Sequence, residues 1–160
     1  MSLHYNEKSK LVKKVFNKVY DKYDLMNDIM SLGTHRIWKK KLVSWMSPLN
    51  DARIVDVASG TGDIARLFSQ RVKNTAQITC IEPNEKMFKT GKENLKNLKN
   101  ISWIKGNAEL LPVKDNTYDF YSISYGIRNV TDINKCLSEA FRVLKPGGRF
   151  MCLEFSKIDN

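Results

Sequence analysis

The stretch "RIVDVASGTGDIARLF", residues 53–68, decides how the rest of the chain is read. It opens as a short β-type run, "RIVDVA", and closes as a helical one that extends through "GDIARLFSQRV". Between the two stand Gly60 and Gly62. They let the backbone turn tightly and approach a ligand with no Cβ in the way. The helix that follows offers unpaired N–H groups and the positive end of its dipole to whatever lies on that loop. Strand, glycine loop and helix together form the opening unit of a parallel α/β sheet.

The same alternation continues downstream. "QITCIE" reads as a strand and "NEKMFKTGKENLKNL" as a helix with Asn84 at its N-cap. "ISWIKG" and "YDFYSISY" read as strands. "TDINKCLSEAFRVLK" reads as a helix capped by Thr131 and stopped by "PGG", and "RFMCLEF" as a fifth strand. The fold class expected is α/β: a Rossmann-like, mostly parallel, doubly wound sheet with right-handed crossovers. Upstream, Leu11, Val12, Val15, Phe16, Val19 and Tyr23 recur at helical spacing. Gly33 ends that helix and Thr34 caps a second, whose stripe is Ile37, Trp38, Leu42, Val43, Trp45 and Met46, ending near Pro48. The organisation expected is a helical lid over residues 1–50 on a sheet core over 51–160, one domain overall.

Bulk properties set limits. A chain of 160 residues, 42% hydrophobic and 28% charged, suits one globular domain, and its apolar runs are far too short to cross a bilayer. The N-terminal stretch has no apolar signal region, which makes the cytoplasm the expected location. Cys80, Cys136 and Cys152 are scattered, with no C-x-x-C pair. They are expected to be buried thiols, without a disulfide framework or a metal site. Lys plus Arg outnumber the acids 27 to 17, a net +10. Such an excess admits nucleic acid or an anionic membrane surface. The lysines are dispersed and not interleaved with aromatics, so no nucleic acid is expected. The densest run, residues 39–41, stands beside Trp38 and leans toward a membrane surface or an acidic ligand.

In a doubly wound sheet, ligands bind beyond the C-terminal ends of the strands, at the switch point. Those ends read "DVASGTGD", "CIEPN", "KGNAELLP", "SISYGIRN" and "LEFSK". "GTGDIA" fits G-x-G-x-x-A, and Glu82 closes the second strand, placed to accept hydrogen bonds from both hydroxyls of a ribose. A nucleoside-containing cofactor follows, either NAD or S-adenosylmethionine. Asp56 favours the second. A buried acid beside the loop repels a pyrophosphate but suits a sulfonium with an α-ammonium. Asp63 can also face that ammonium, or simply favour the first turn of its helix. Asn107 can present its amide to an adenine edge and Ala108 its N–H to a ring nitrogen. The plain alternative is an ordinary Gly-Asn turn.

Three stretches narrow the reading: "YDLMNDIMSLGTHRIWK", "SYGIRNVTD" and "VLKPGGRFMCLEFSK". With the glycine loop and "GNAELLP", they resemble the class I S-adenosylmethionine-dependent methyltransferases, and among these the ubiquinone/menaquinone-biosynthesis C-methyltransferases of the UbiE type. The resemblance runs from about residue 15 to 157. It implies cofactor contacts at Thr61 between Gly60 and Gly62, at Glu82, at Asn107 and Ala108, and at Ser124. Glu stands at 82 where that family often has Asp, and Ala58 replaces the first glycine of the general methyltransferase loop. The reaction implied is methyl transfer to a ring carbon of a prenylated benzoquinol or naphthoquinol. Phenols ionise near pH 10, so the enzyme must stabilise a phenolate, align it with the methyl and exclude water. Arg128 suits the stabilising role, since a guanidinium stays charged and cannot be the base. Asn129 can orient the same oxygen. The structural alternative is Arg128 paired with an acid of the N-terminal helices and Asn129 capping a turn. His35 and Asp24 are candidate proton acceptors. Tyr23, Met26 and Asn27 would line the lid.

Members of that family normally continue past "LEFSK". The chain is therefore expected to be truncated after its fifth strand, with an open edge that a second copy covers, and to bind cofactor better than it turns over. Contact with the periphery of the inner membrane goes with a prenylated substrate. Two rival functions stay open: methylation of another substrate such as RNA, and a non-catalytic cofactor-binding subunit.

Overall fold

The computed structural model describes residues 34–73 and 75–155. Five strands lie side by side: β1 (Arg53–Val57), β2 (Gln77–Glu82), β3 (Ile101–Lys105), β4 (Tyr118–Ser124) and β5 (Leu144–Leu153). Their order is β3-β2-β1-β4-β5, and every pairing is parallel. The described helices are α1 (His35–Met46), α2 (Asp63–Arg71), α3 (Glu85–Asn94) and α4 (Ile133–Val143), with a 3-10 turn at Ile127–Asn129. The doubly wound sheet expected from the alternation is the one observed.

Both faces of the sheet are covered, which is why its central strands read as unbroken apolar runs. Side chains alternate along β1. Ile54 joins a core cluster with Leu42, Val43 and Met46 of α1 and Ile64, Ala65 and Phe68 of α2. Val55 and Val57 join the opposite cluster, with Tyr121 and Ile123 of β4 and Cys136, Ala140 and Val143 of α4. Truncating a residue such as Phe68, which is fully buried, costs about 3–5 kcal/mol.

Helices carry three of the crossovers, but none bridges β3 to β4. That connection, residues 106–117, is held instead by α4. Glu139 Oε2 accepts the Leu111 N–H at 2.6 Å, and Arg142 donates to the carbonyls of Leu111 (3.0 Å) and Val113 (2.9 Å). Arg142 and Glu139 also bind each other at 2.7 Å, so each charge is matched.

Local details depart from expectation in four places. Asp132, not Thr131, caps α4. It has the extended backbone an N-cap needs and accepts the Lys135 N–H, while the Thr131 N–H goes to Glu109. Asn84 caps α3 as expected, but Thr34 makes no side-chain cap to α1. "PGG" lies within β5, where pairing slips between Tyr118 and Phe120 and Gly147 adopts φ +78°; α4 has already ended at Val143. Cys80 and Cys136 are buried, but Cys152 is exposed, because β5 is the outer strand of the sheet. No described helix is long and apolar enough to cross a membrane.

Candidate functional site

The sheet order reverses between β1 and β4, so the chain leaves those two strands in opposite directions and opens a crevice beyond their ends. One wall is the loop after β1. Ala58, Gly60 and Gly62 all have positive φ, at +53°, +58° and +89°. The two glycines serve different purposes. A Cβ on Gly62 would lie 2.5 Å from Leu95 Cδ1 and 3.1 Å from Trp103 Cζ2, so internal packing demands glycine there. A Cβ on Gly60 would meet nothing within 4 Å, which leaves open space at that backbone. Thr61 between them is half-buried.

Behind the loop, Asp56 is 1% exposed. Its Oδ1 accepts the Ser122 hydroxyl at 2.6 Å across the β1–β4 pairing, and its Oδ2 has no hydrogen-bond partner among the described residues. Burial pushes this carboxyl up to about 7, only partly offset by the Ser122 hydrogen bond and the charge of Lys39. Glu82, also buried, ends β2. Its Oε2 accepts the Gly60 N–H and its Oε1 the Asn84 N–H, both at 2.8 Å. Burial raises this group too, against the pull of those two N–H groups. The acid predicted to receive a ribose therefore also braces the glycine loop.

The loop after β3 carries Asn107, exposed, and Ala108, buried. Asn107 Oδ1 accepts the N–H groups of Glu109 (2.9 Å) and Leu110 (3.0 Å), as in the ordinary turn considered above, which leaves its Nδ2 to donate outward. Ser124 ends β4 with its Oγ buried and without a partner among the described residues. Beyond it Tyr125 takes φ +55°, and Gly126 lies so close to the first loop that a Cβ there would be 2.7 Å from Ala58 Cβ. The two strand ends thus interlock through Ala58 and Gly126.

Arg128 and Asn129 lie on the 3-10 turn that follows. Arg128 Nη1 pairs with Glu154 Oε1 at 3.0 Å, so among the described residues its acid comes from just past the end of β5. Its guanidinium lies 5.8 Å from the Tyr125 ring centroid and 5.5 Å from that of Phe155. Asn129 Nδ2 donates to the Tyr125 carbonyl at 3.3 Å, which leaves its Oδ1 to accept.

Other expectations meet different geometry. Asp63 is engaged by Lys39 at 2.9 Å and Arg66 at 3.1 Å. Although burial works upward on it, these cations hold its carboxyl below the usual range. It is an acid favoured in a first helical turn, already neutralised. His35, a candidate proton acceptor, is a buried residue of α1. Tyr23, Asp24, Met26 and Asn27 lie outside the described residues. Ser122, Glu154 and the Glu139–Arg142 pair are not singled out by the sequence, and Lys39 stands out there only as part of the basic run. Of these, Glu154 stood in the strand-end stretch "LEFSK", and Glu139 and Arg142 in "EAFRVLK".

A parallel sheet of this order, with a glycine loop after β1 and an acid ending β2, is the fold of the class I S-adenosylmethionine-dependent methyltransferases. A SAM-dependent methyltransferase from Aquifex aeolicus superimposes with a TM-score of 0.68 at 24% identity, over 76% of this chain and 66% of that one. One from Thermotoga maritima does so at 0.67 and 26% identity, over 88% and 60%. Within that class, the chain belongs to the ubiE/COQ5 methyltransferase family, whose model matches residues 4–160. It is 48% identical over 160 residues to the ubiquinone/menaquinone biosynthesis C-methyltransferase UbiE of Rickettsia prowazekii, covering 96% of this chain and 64% of that protein. It is 48% identical to the one of Brucella abortus, covering 59% of that protein. The chain thus spans about six-tenths of the length of these relatives.

Proposed function

We propose that this chain binds S-adenosylmethionine at the β1–β4 crevice and serves the C-methylation of a prenylated benzoquinol or naphthoquinol. The observation that carries the reading is that the adjacent strands β1 and β4 hold buried polar atoms without partners among the described residues, while the glycine loop after β1 has open space at its backbone. Gly60 has room at its Cα, and Asp56 Oδ2 and Ser124 Oγ are buried and unpartnered among the described residues. Such atoms cost free energy until a polar ligand meets them. These residues fit the cofactor: Glu82 for ribose hydroxyls, Asp56 for the cationic end, and Asn107 Nδ2 with the Ala108 backbone for adenine, while Thr61 and Gly62 complete the loop.

When bound, the cofactor supplies an electrophilic methyl group. The work of this chain's residues lies on the substrate side. Arg128 donates to a ring hydroxyl and favours its ionised form, which raises electron density on the ring carbon. The aromatic faces of Tyr125 and Phe155 hold the guanidinium, and Glu154 fixes its direction. Asn129 offers Oδ1 to orient the hydroxyl. Within residues 1–50, the part that precedes α1, with Tyr23, Met26 and Asn27, acts as the lid that excludes water. A prenyl tail places the substrate in a bilayer, and the chain on this reading is a cytoplasmic protein that works at the inner membrane. A second copy of the chain is the partner proposed for the outer edge, where Phe141, Leu137 and Ile133 of α4 and Phe150 of β5 lie exposed. Light scattering would report a dimer there.

The test joins binding to turnover. S-adenosylmethionine at a hundred times its Kd stabilises the fold by about 2.7 kcal/mol, whereas NAD does not. Methyl transfer to short-tailed quinols is then compared between the wild type and Arg128→Ala, with a loss of 100-fold or more expected in the variant, on the order of a lost charge-stabilising donor. Stabilisation by NAD alone would overturn the cofactor reading. Transfer unaffected by Arg128→Ala would overturn the role of the guanidinium.

A further inference from the structure

We infer that the outward face of α1 is the surface on which this chain docks to an anionic lipid bilayer. The inference rests on the quinol reading only in supplying a reason for the contact; the surface itself is on the structure. Helix α1, "HRIWKKKLVSWM", contains no acidic residue. Its inward face, Lys39, Leu42, Val43 and Met46, is buried, and Lys39 is spent on Asp63. Of the lysine run only Lys40 and Lys41 face solvent, and no described acid pairs with either.

What they flank is apolar. Ile37 is 56% exposed and Trp45 69%, and with Lys41 they form an i, i+4, i+8 stripe. Trp38 borders that stripe and Leu49 follows just past the helix, both exposed. Apolar and indole side chains along one arc, with ammonium groups beside them, are the pattern of a helix that lies in a membrane interface. The other exposed apolar row, on α4, lacks this charge. There Lys135 is near Asp132 and Arg142 is matched by Glu139 and Asp115.

The surface also leads to the site. Trp38 meets Phe155 edge-on with centroids 5.9 Å apart, and Phe155 packs on Tyr125 at 5.0 Å and beside the Arg128 guanidinium. A molecule leaving a bilayer under α1 is therefore one aromatic ring from Arg128.

The test is flotation of the chain with quinone-free vesicles, made of phosphatidylcholine alone or mixed with phosphatidylglycerol. The chain is expected to float only with the anionic mixture, with a blue shift of tryptophan emission. Lys40→Gln with Lys41→Gln should weaken partitioning about 30-fold, roughly fivefold for each lysine lost from the surface. Trp45→Ser should abolish most of the blue shift. All three positions are exposed, so circular dichroism and the stabilisation by S-adenosylmethionine should stay as in the wild type. Failure of the wild type to float, or unchanged flotation of both α1 variants, overturns the proposal. So does loss of flotation in Phe141→Ser while the α1 variants float, or binding to an RNA oligomer in place of vesicles. If S-adenosylmethionine fails to stabilise the chain but flotation still depends on α1, the docking surface stands and the methylation reading falls.

Discussion

Unfolding free energy measured across pH tests the electrostatics of the site without any ligand. Burial raises Asp56 from 3.8 to about 7 in the folded chain. Between those two values the folded state holds a proton that the unfolded state has released, so stability must fall as pH rises through the window. The penalty is absent below about pH 4 and complete above about pH 7. About three pK units at 1.36 kcal/mol each give a total of about 4 kcal/mol, with a slope no steeper than about 1.4 kcal/mol per pH unit. Glu82, also raised, adds in the same direction. Asp63 and Asp119, both lowered, act oppositely: their stabilisation is lost as pH falls below the ordinary carboxylate range. Urea unfolding followed by intrinsic fluorescence from pH 8 to pH 4.5 should show the wild type gaining stability on acidification. Asp56→Asn should remove most of that gain, because its amide does not ionise. Ser122→Ala should keep the slope but extend it to higher pH, since the folded carboxylate loses the hydroxyl that donates to it while the unfolded value stays the same. An Asp56→Asn chain with the wild-type slope would refute the assignment of a buried, protonated carboxyl to β1.

Gly60→Ala and Gly62→Ala should separate binding from folding. The first costs only about 1 kcal/mol of backbone strain yet blocks stabilisation by S-adenosylmethionine. The second adds a clash with Leu95 and Trp103 and costs about 3 kcal/mol, read as a lower Tm. Gly126→Ala should destabilise by about 1–3 kcal/mol through Ala58, and adding Ala58→Gly should restore most of it in a double-mutant cycle. Glu139→Ala should cost about 2 kcal/mol and expose residues 106–117 to limited proteolysis, because the Leu111 N–H and the Arg142 guanidinium lose their shared acceptor.

Local periodicity was enough to find every described strand and helix, because each segment buries a face that its own spacing reveals. What the spacing could not say is which of several adjacent candidates is used. Thr131 and Asp132 are both good caps, and only backbone geometry chose Asp132. Three consecutive lysines look alike in sequence, yet Lys39 turns inward to Asp63 and the other two face out. Contacts between distant strand ends were also beyond reach. The Arg128–Glu154 pair and the Ser122–Asp56 bond each depend on sheet order, and the strand order is a property of the assembled sheet. Cys152 looks like any core residue in "FMCLEF", and only its place on the outer strand exposes it. Strand ends, by contrast, were legible as candidates because turning the chain there requires residues whose polar chemistry stands out against the apolar runs.

Trp103 lies beneath the glycine loop, next to the positions of Gly62 and Gly91 and edge-on to Phe88. Trp38 touches Phe155, and Trp45 stands in solvent. The chain has three tryptophans, and each occupies a different neighbourhood. Biosynthetic incorporation of fluorotryptophan would therefore turn the protein into its own three-channel detector. One resonance would respond to cofactor pressing on the loop, one to events beside Arg128, and one to lipid. A single nuclear magnetic resonance titration could record in which order those places are engaged.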